Sequence, residues 1–236
     1  MEDSHYPGGE LELFAHARNW KQYYADRIRS YLNGDVLEVG AGIGATTSVL
    51  CSGREHSWTC IEPDPDLARQ LASAVRQLAG PTIPTVSECA ITDLPSSPAF
   101  DCILYIDVLE HIEDDRGELR QAAERLRPGG YVIVLSPAHS FLFSEFDRQI
   151  GHFRRYNTKT LRAVGPASTR LRDVFYLDSF GIMLSLANRL LLRTGSPSRK
   201  QIAFWDRFVV PGSRILDPML GYRVGKTIIA VWQRTP

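Results

Sequence analysis

Apolar residues recur along this chain with two different spacings. Between residues 11 and 31, Leu13, Ala17, Trp20, Tyr24 and Ile28 fall at three- and four-residue intervals. This spacing predicts an amphipathic helix, ended by Asn33-Gly34. From Val36 onward, short continuous apolar runs alternate with helical stretches. The runs predict strands over Val36–Val39, Trp58–Ile61, Pro84–Val86, Phe100–Ile106 and Tyr131–Leu135. Helices are predicted over Ala45–Leu50, from a cap at Asp64 to Leu78, and from Asp114 to Leu126, where Arg127-Pro128-Gly129-Gly130 ends the run. Beyond residue 140 the alternation loosens. Val174–Leu177 and Thr227–Trp232 read as further strands, and 181–192 and 201–216 as helical. Strands apolar at successive positions are covered on both faces. The pattern therefore predicts an α/β fold, a doubly wound, mostly parallel seven-stranded Rossmann-like sheet with helices on both faces. One domain is expected over 1–236, with an elaborated C-terminal third.

Charge and composition narrow the partners. The 236 residues carry 27 Lys+Arg and 27 Asp+Glu, a formal net charge of zero. A nucleic-acid binder usually shows a basic excess or stripe, so nucleic acid is not expected. Cys51, Cys60, Cys89 and Cys102 are scattered without metal-binding spacing and read as free thiols of a reducing cytoplasm. Met1–His5 is polar and acidic, unlike a secretory leader. Phe180–Leu192 is too short for a membrane span and contains Asn188 and Arg189. It lacks a strongly basic face, so packing on the sheet or on a second subunit is expected rather than lipid contact. The chain is expected to be cytoplasmic, a monomer or homodimer.

The chemistry concentrates where the first strand ends, in Val36-Leu37-Glu38-Val39-Gly40-Ala41-Gly42-Ile43-Gly44-Ala45. The glycines fit a dinucleotide loop, and Glu62 lies where a ribose-binding acid belongs. Two cofactors compete: a nicotinamide or flavin dinucleotide, and S-adenosylmethionine. A carboxylate 4–5 Å from a pyrophosphate would disfavour it by about 4 kcal/mol per unit charge at an effective dielectric near 20. The same carboxylate favours an ammonium tail, so Glu38 points to S-adenosylmethionine.

Three more motifs follow in order: Ile61-Glu62-Pro63-Asp64, Phe100 through Ile112, and Leu126-Arg127-Pro128-Gly129-Gly130-Tyr131-Val132-Ile133-Val134. With the glycine loop they make the chain resemble a class I S-adenosylmethionine-dependent methyltransferase, strongly over about residues 30–140. The chain is expected to divide into an N-terminal cover helix over 1–33, a cofactor-binding core over 34–140, and a lid and substrate-side elaboration with the last strands over 141–236. The resemblance implies S-adenosyl-L-methionine as donor and S-adenosyl-L-homocysteine as product, held by Glu38, Gly40, Ala41, Gly42, Gly44, Glu62, Pro63 and Asp107. The family often places an Asp after the third strand to hold adenine. Here that position is Ala90, followed by Ile91, so backbone and apolar contact are expected to replace it.

Methyl transfer leaves the protein to position an acceptor and remove a proton. His111 or His152 is expected to act as base, with Asp107 and Tyr156 as further catalytic candidates. Trp20, Tyr23, His139, His152, Arg155 and Tyr156 are candidate acceptor contacts. Some relatives with an acid-x-x-Glu-His run use a metal, completed here by His139 or His152; the reading adopted is no metal. The expected acceptor is a small molecule attacking through oxygen, nitrogen or carbon. An NAD(P)-dependent oxidoreductase, a methyltransferase acting on protein or RNA, and a non-catalytic binding module are the alternatives.

Overall fold

The structure is a computed structural model that describes residues 9–78, 80–97, 99–187 and 197–236. The expectation at Met1–His5 and the end of the 181–192 helix lie outside the described residues. Strands β1 (Asp35–Val39), β2 (Ser57–Ile61), β3 (Thr85–Ser87), β4 (Phe100–Ile106) and β5 (Leu126–Pro137) run parallel. β6 (Thr169–Leu177) closes the far edge, and β7 (Thr227–Arg234) runs antiparallel between β5 and β6. The resulting order is β3-β2-β1-β4-β5-β7-β6. The chain winds outward from β1 and returns to start the other half at β4. Ligands of such sheets bind outside the strand carboxyl ends at that switch. Val39 pairs with both Ile61 and Tyr105, so β1, β2 and β4 end at one level.

Successive strand residues point to opposite faces, and both faces are buried. Val36, Cys60, Leu104, Ile133 and Val231 contribute to one apolar cluster, and Leu37, Ile61, Ile103, Val132 and Ala230 to the other. Helix α4 (Pro65–Val75) covers the first face with Leu71 and Val75. Its start is capped by Asp64, which accepts from the backbone N–H groups of Asp66 and Leu67, as expected. Helix α5 (Asp115–Arg125) covers the second face with Leu119 and Ala122.

The expected helix over 11–31 is instead two helices, α1 (Glu10–Ala15) and α2 (Arg18–Ile28), with a final 3-10 turn at Arg29–Tyr31. The reason lies far along the chain. Asp206 accepts from the backbone N–H groups of Asn19 and Trp20, capping α2 from outside. Among the described residues, the chain beyond β5 adds α6 (Glu145–Gln149), α7 (Thr158–Ala163), α8 (Ser179–Ala187), α9 (Arg199–Phe204) and α10 (Val210–Met219), the last two joined by a π-turn over Trp205–Val209. Asp217, fully buried, accepts from the Tyr23 hydroxyl and from the N–H groups of Asp178 and Ser179, tying the C-terminal third to α2. β6 is longer than expected. Arg170, Arg172 and Asp173 make it read as polar, which an edge strand tolerates. Cys60 and Cys102 are buried free thiols as expected, while Cys51 and Cys89 are half-buried.

Candidate active site

Three glycines turn the chain from β1 toward α3 (Thr47–Leu50), with φ of 62° at Gly40, 55° at Gly42 and 80° at Gly44. A Cβ on Gly40 would come within 2.8 Å of the Val108 side chain, so the loop and the β4 exit touch here. The N–H groups of Gly40 and Ala41 are held by the Ile61 carbonyl. Glu62, at the end of β2, accepts from Gly42 N–H at 2.9 Å through Oε2 and from Asp64 N–H at 3.1 Å through Oε1. Each carboxylate oxygen has a second lone pair, so Glu62 braces the loop and still has acceptor capacity. Pro63 is exposed beside it. Ala90 opens a 3-10 turn over Ile91–Asp93; Ile91 is buried, and Asp93 caps Ala90 N–H.

Glu38 requires a correction. It does not stand open beside the loop: it is 2% exposed, and Oε2 accepts from Thr47 Oγ1–H and Trp58 Nε1–H at 2.8 and 3.0 Å. Burial raises its pKa to about 7, against these hydrogen bonds. Its first task is to fasten α3 to β2. Oε1 accepts no bond among the described residues.

Asp107 follows β4 with φ 55°. Its side chain is accessible from the crevice, yet surrounding protein desolvates it and raises its pKa to about 6, against the pull of His152, Lys21 and Lys226. Lys21 is buried on α2 and donates to the Phe14 carbonyl. Burial lowers its pKa to about 8, opposed by Asp107 and Asp206. Sequence reasoning missed both lysines. Lys21 had a signal, a charge on the helical stripe Ala17-Lys21-Tyr24-Ile28; Lys226, just before β7, had none.

Beyond Asp107 a 3-10 turn carries Glu110 and His111 to the segment 139–156. Glu110 is fully buried; Ser136 Oγ–H donates to its Oε2 at 2.8 Å, while Oε1 has no partner. His152 Nδ1 bonds Asp147 Oδ1 at 2.9 Å, and its Nε2 faces Glu110 Oε1 at 3.9 Å, beyond hydrogen-bond range. Arg155 Nε and Nη2 and Ser144 also bind Asp147, whose carboxyl is held well below the ordinary range by His152 and Arg155 despite burial. The His111 and His152 rings meet edge to face at 4.5 Å. Donor atoms of Glu110, His111 and His152 lie within 4.8 Å of one another, close enough to hold a metal ion.

Several expected contacts are spent on structure. His111, expected as a base, has its pKa lowered to about 4 by burial and bonds the Ile150 carbonyl, so at neutral pH it is a weak proton acceptor. Tyr156, expected to be catalytic, is buried and donates to Asp115 Oδ2 at 2.8 Å; burial and that bond push its pKa up. Arg155 is bonded to Asp147 through Nε and Nη2. Trp20 and Tyr23 are buried, Trp20 among Tyr23, Tyr24 and Trp205, and Tyr23 bonded to Asp217. His139 stacks between Phe141 and Tyr176, its Nε2 on the Gly225 carbonyl.

Residues 14–179 match a family model described as a methyltransferase domain. The chain belongs to that family. Methyltransferases of known structure share the fold: the N-methyltransferase NodS of Bradyrhizobium japonicum aligns over 96% of this chain and 99% of its own at 14% identity, TM-score 0.58. NodS has also been solved with S-adenosyl-L-homocysteine (TM-score 0.59, 14% identity, 94% of this chain and 89% of that one). Phosphoethanolamine N-methyltransferase 2 of Haemonchus contortus aligns over 97% of this chain and 58% of its own at 15% identity, TM-score 0.64. In sequence, an uncharacterized protein of Mycobacterium tuberculosis is 31% identical over 128 residues, covering 53% of this chain and 42% of that protein. A tRNA U34 carboxymethyltransferase of Shewanella putrefaciens is 31% identical over 121 residues, covering 49% and 35%. The chain thus matches under half the length of these relatives. Family membership makes S-adenosylmethionine the donor of this methyltransferase. The donor set suits it: Glu62 after β2 and Asp107 after β4 fit a ribose diol and an ammonium, and Lys21 fits the carboxylate of an amino-acid tail.

Proposed function

We propose that this methyltransferase acts on a small-molecule acceptor whose proton passes to His152. The observation that carries the reading is the Asp147–His152 pair beside Asp107, at the same sheet end as the glycine loop. Asp147 holds the Nδ1–H tautomer and leaves Nε2 to accept. When bound, S-adenosylmethionine supplies an already activated methyl group. Glu62 takes the ribose hydroxyls, Ala90 and Ile91 border the adenine, and Asp107 with Lys21 holds the charged tail. Zero net charge, and a segment 139–156 that brings His152 to Glu110 after β4, support a small acceptor. Glu62→Ala is expected to weaken S-adenosylhomocysteine binding by calorimetry; unchanged affinity would displace the ribose from this position. His152→Ala is expected to lower turnover on a true acceptor by about 10²–10⁴-fold with donor affinity retained. Turnover equal to the parent would remove His152 as base.

Two further readings have observations behind them. The tRNA-modifying relatives favour an RNA acceptor; salt-sensitive retention of tRNA in a gel-shift assay would support it. The unpartnered Glu110 Oε1 favours a divalent ion at Glu110, His111 and His152, tested by chelation below.

A further inference from the structure

Residues 199–219 run as one helix whose inner side is buried through Ile202, Trp205, Val209, Val210 and Ser213. The outer side of a surface helix is normally polar. Here it carries Phe204, Phe208, Ile215 and Met219, exposed by 54, 60, 72 and 78%. The Phe204 and Phe208 rings lie 5.4 Å apart. Phe180 of α8 packs where a Cβ on Gly212 would stand, which brings the exposed Met183 to the same side. An apolar surface of this extent on a soluble domain marks an interaction site.

Charge selects the partner. Between residues 197 and 226 the carboxylates are Asp206 and Asp217, and both are buried and bonded to α2. Of the basic residues there, Arg199, Lys200, Arg207, Arg214 and Arg223 are exposed and Lys226 is half-buried. Arg199 and Arg214 meet Glu12 and Asp26; Lys200, Arg207 and Arg223 make no ion pair among the described residues. The face is apolar with a positive rim. A second copy packed across a two-fold axis would set positive rim against positive rim. An anionic bilayer satisfies both features, apolar side chains entering the acyl boundary and cations meeting headgroup phosphates. No helix among the described residues is long and apolar enough to cross a membrane, so the contact lies in the interface plane.

We propose that this outer face of 199–219, with Phe180 and Met183, docks on an anionic lipid surface. The inference is independent of the acceptor. The stretch Phe180–Leu192 has no strongly basic face of its own; the cations of this surface come from 199–223.

Flotation of the full chain with phosphatidylcholine vesicles, and with vesicles that also contain phosphatidylglycerol, tests it. Binding is expected to be at least about tenfold stronger to the anionic vesicles and to fall with added salt. Phe208→Ser with Ile215→Ser, and separately Lys200→Glu with Arg207→Glu, are expected to lower it at least about tenfold with unchanged thermal melts. Absence of flotation, or equal flotation with both vesicle types, would overturn the proposal. A concentration-dependent dimer dissolved by the Phe208 and Ile215 substitutions, without vesicle binding, would assign the face to a second copy.

Discussion

A non-glycine residue in the left-handed region costs of order 1–3 kcal/mol, and Asp107 holds that conformation directly at the end of β4, its N–H on the Leu135 carbonyl. The geometry turns a carboxylate into the crevice where protein partly strips its water. Because its pKa is raised to about 6, ionisation opposes folding, an effect that the solvent around this exposed side chain reduces: the stability lent by the protonated form is full below the ordinary carboxylate pKa and is lost as pH rises through about 6. Asp107→Asn is therefore expected to raise the melting temperature slightly at neutral pH. The same charge is proposed to hold the ammonium, so S-adenosylhomocysteine affinity should fall as pH drops through about 6, and the Asn variant should bind weakly with a flat profile in calorimetry. At this scale the sequence located the site better than it assigned roles. Glu110-His111 could be placed after a strand, but nothing local shows that His111 bonds Ile150 or that Tyr156 bonds Asp115.

Elements follow local pattern where their caps are local. Asp64 is adjacent to α4 and was readable; Asp206 stands 187 positions from Asn19, so the break between α1 and α2 left no mark in the periodicity. Asp206→Ala removes the acceptor of two N–H groups and is expected to cost about 1–2 kcal/mol in denaturant unfolding, with faster amide exchange at the start of α2. The buried parallel strands β1, β4 and β5 were legible because burial on both faces leaves continuous apolar runs. The first half of β6 is not legible as a strand because the outer edge keeps its polar side chains.

For the whole molecule, the doubly wound, mostly parallel sheet followed from the alternation of strands and helices, while the strand order and the acceptor did not. The segments that shape the acceptor side, 139–156 and the C-terminal third, obey contacts between distant residues: Arg155 on Asp147, Tyr23 on Asp217, Trp205 on Asp178. With His152 as base, exhaustive chelation should leave turnover unchanged; a loss of more than about tenfold, restored by added divalent ion, would move the Glu110–His111–His152 cluster from proton acceptance to metal binding.

Gly40 leaves no room for a side chain: a Cβ there would meet Val108, the residue between Asp107 and the turn bearing Glu110, at 2.8 Å. A single added methyl would act as a wedge there. Gly40→Ala is therefore expected to shift Val108, and with it the backbone that leads from Asp107 to Glu110, so that one added methyl in the glycine loop disturbs both walls at once.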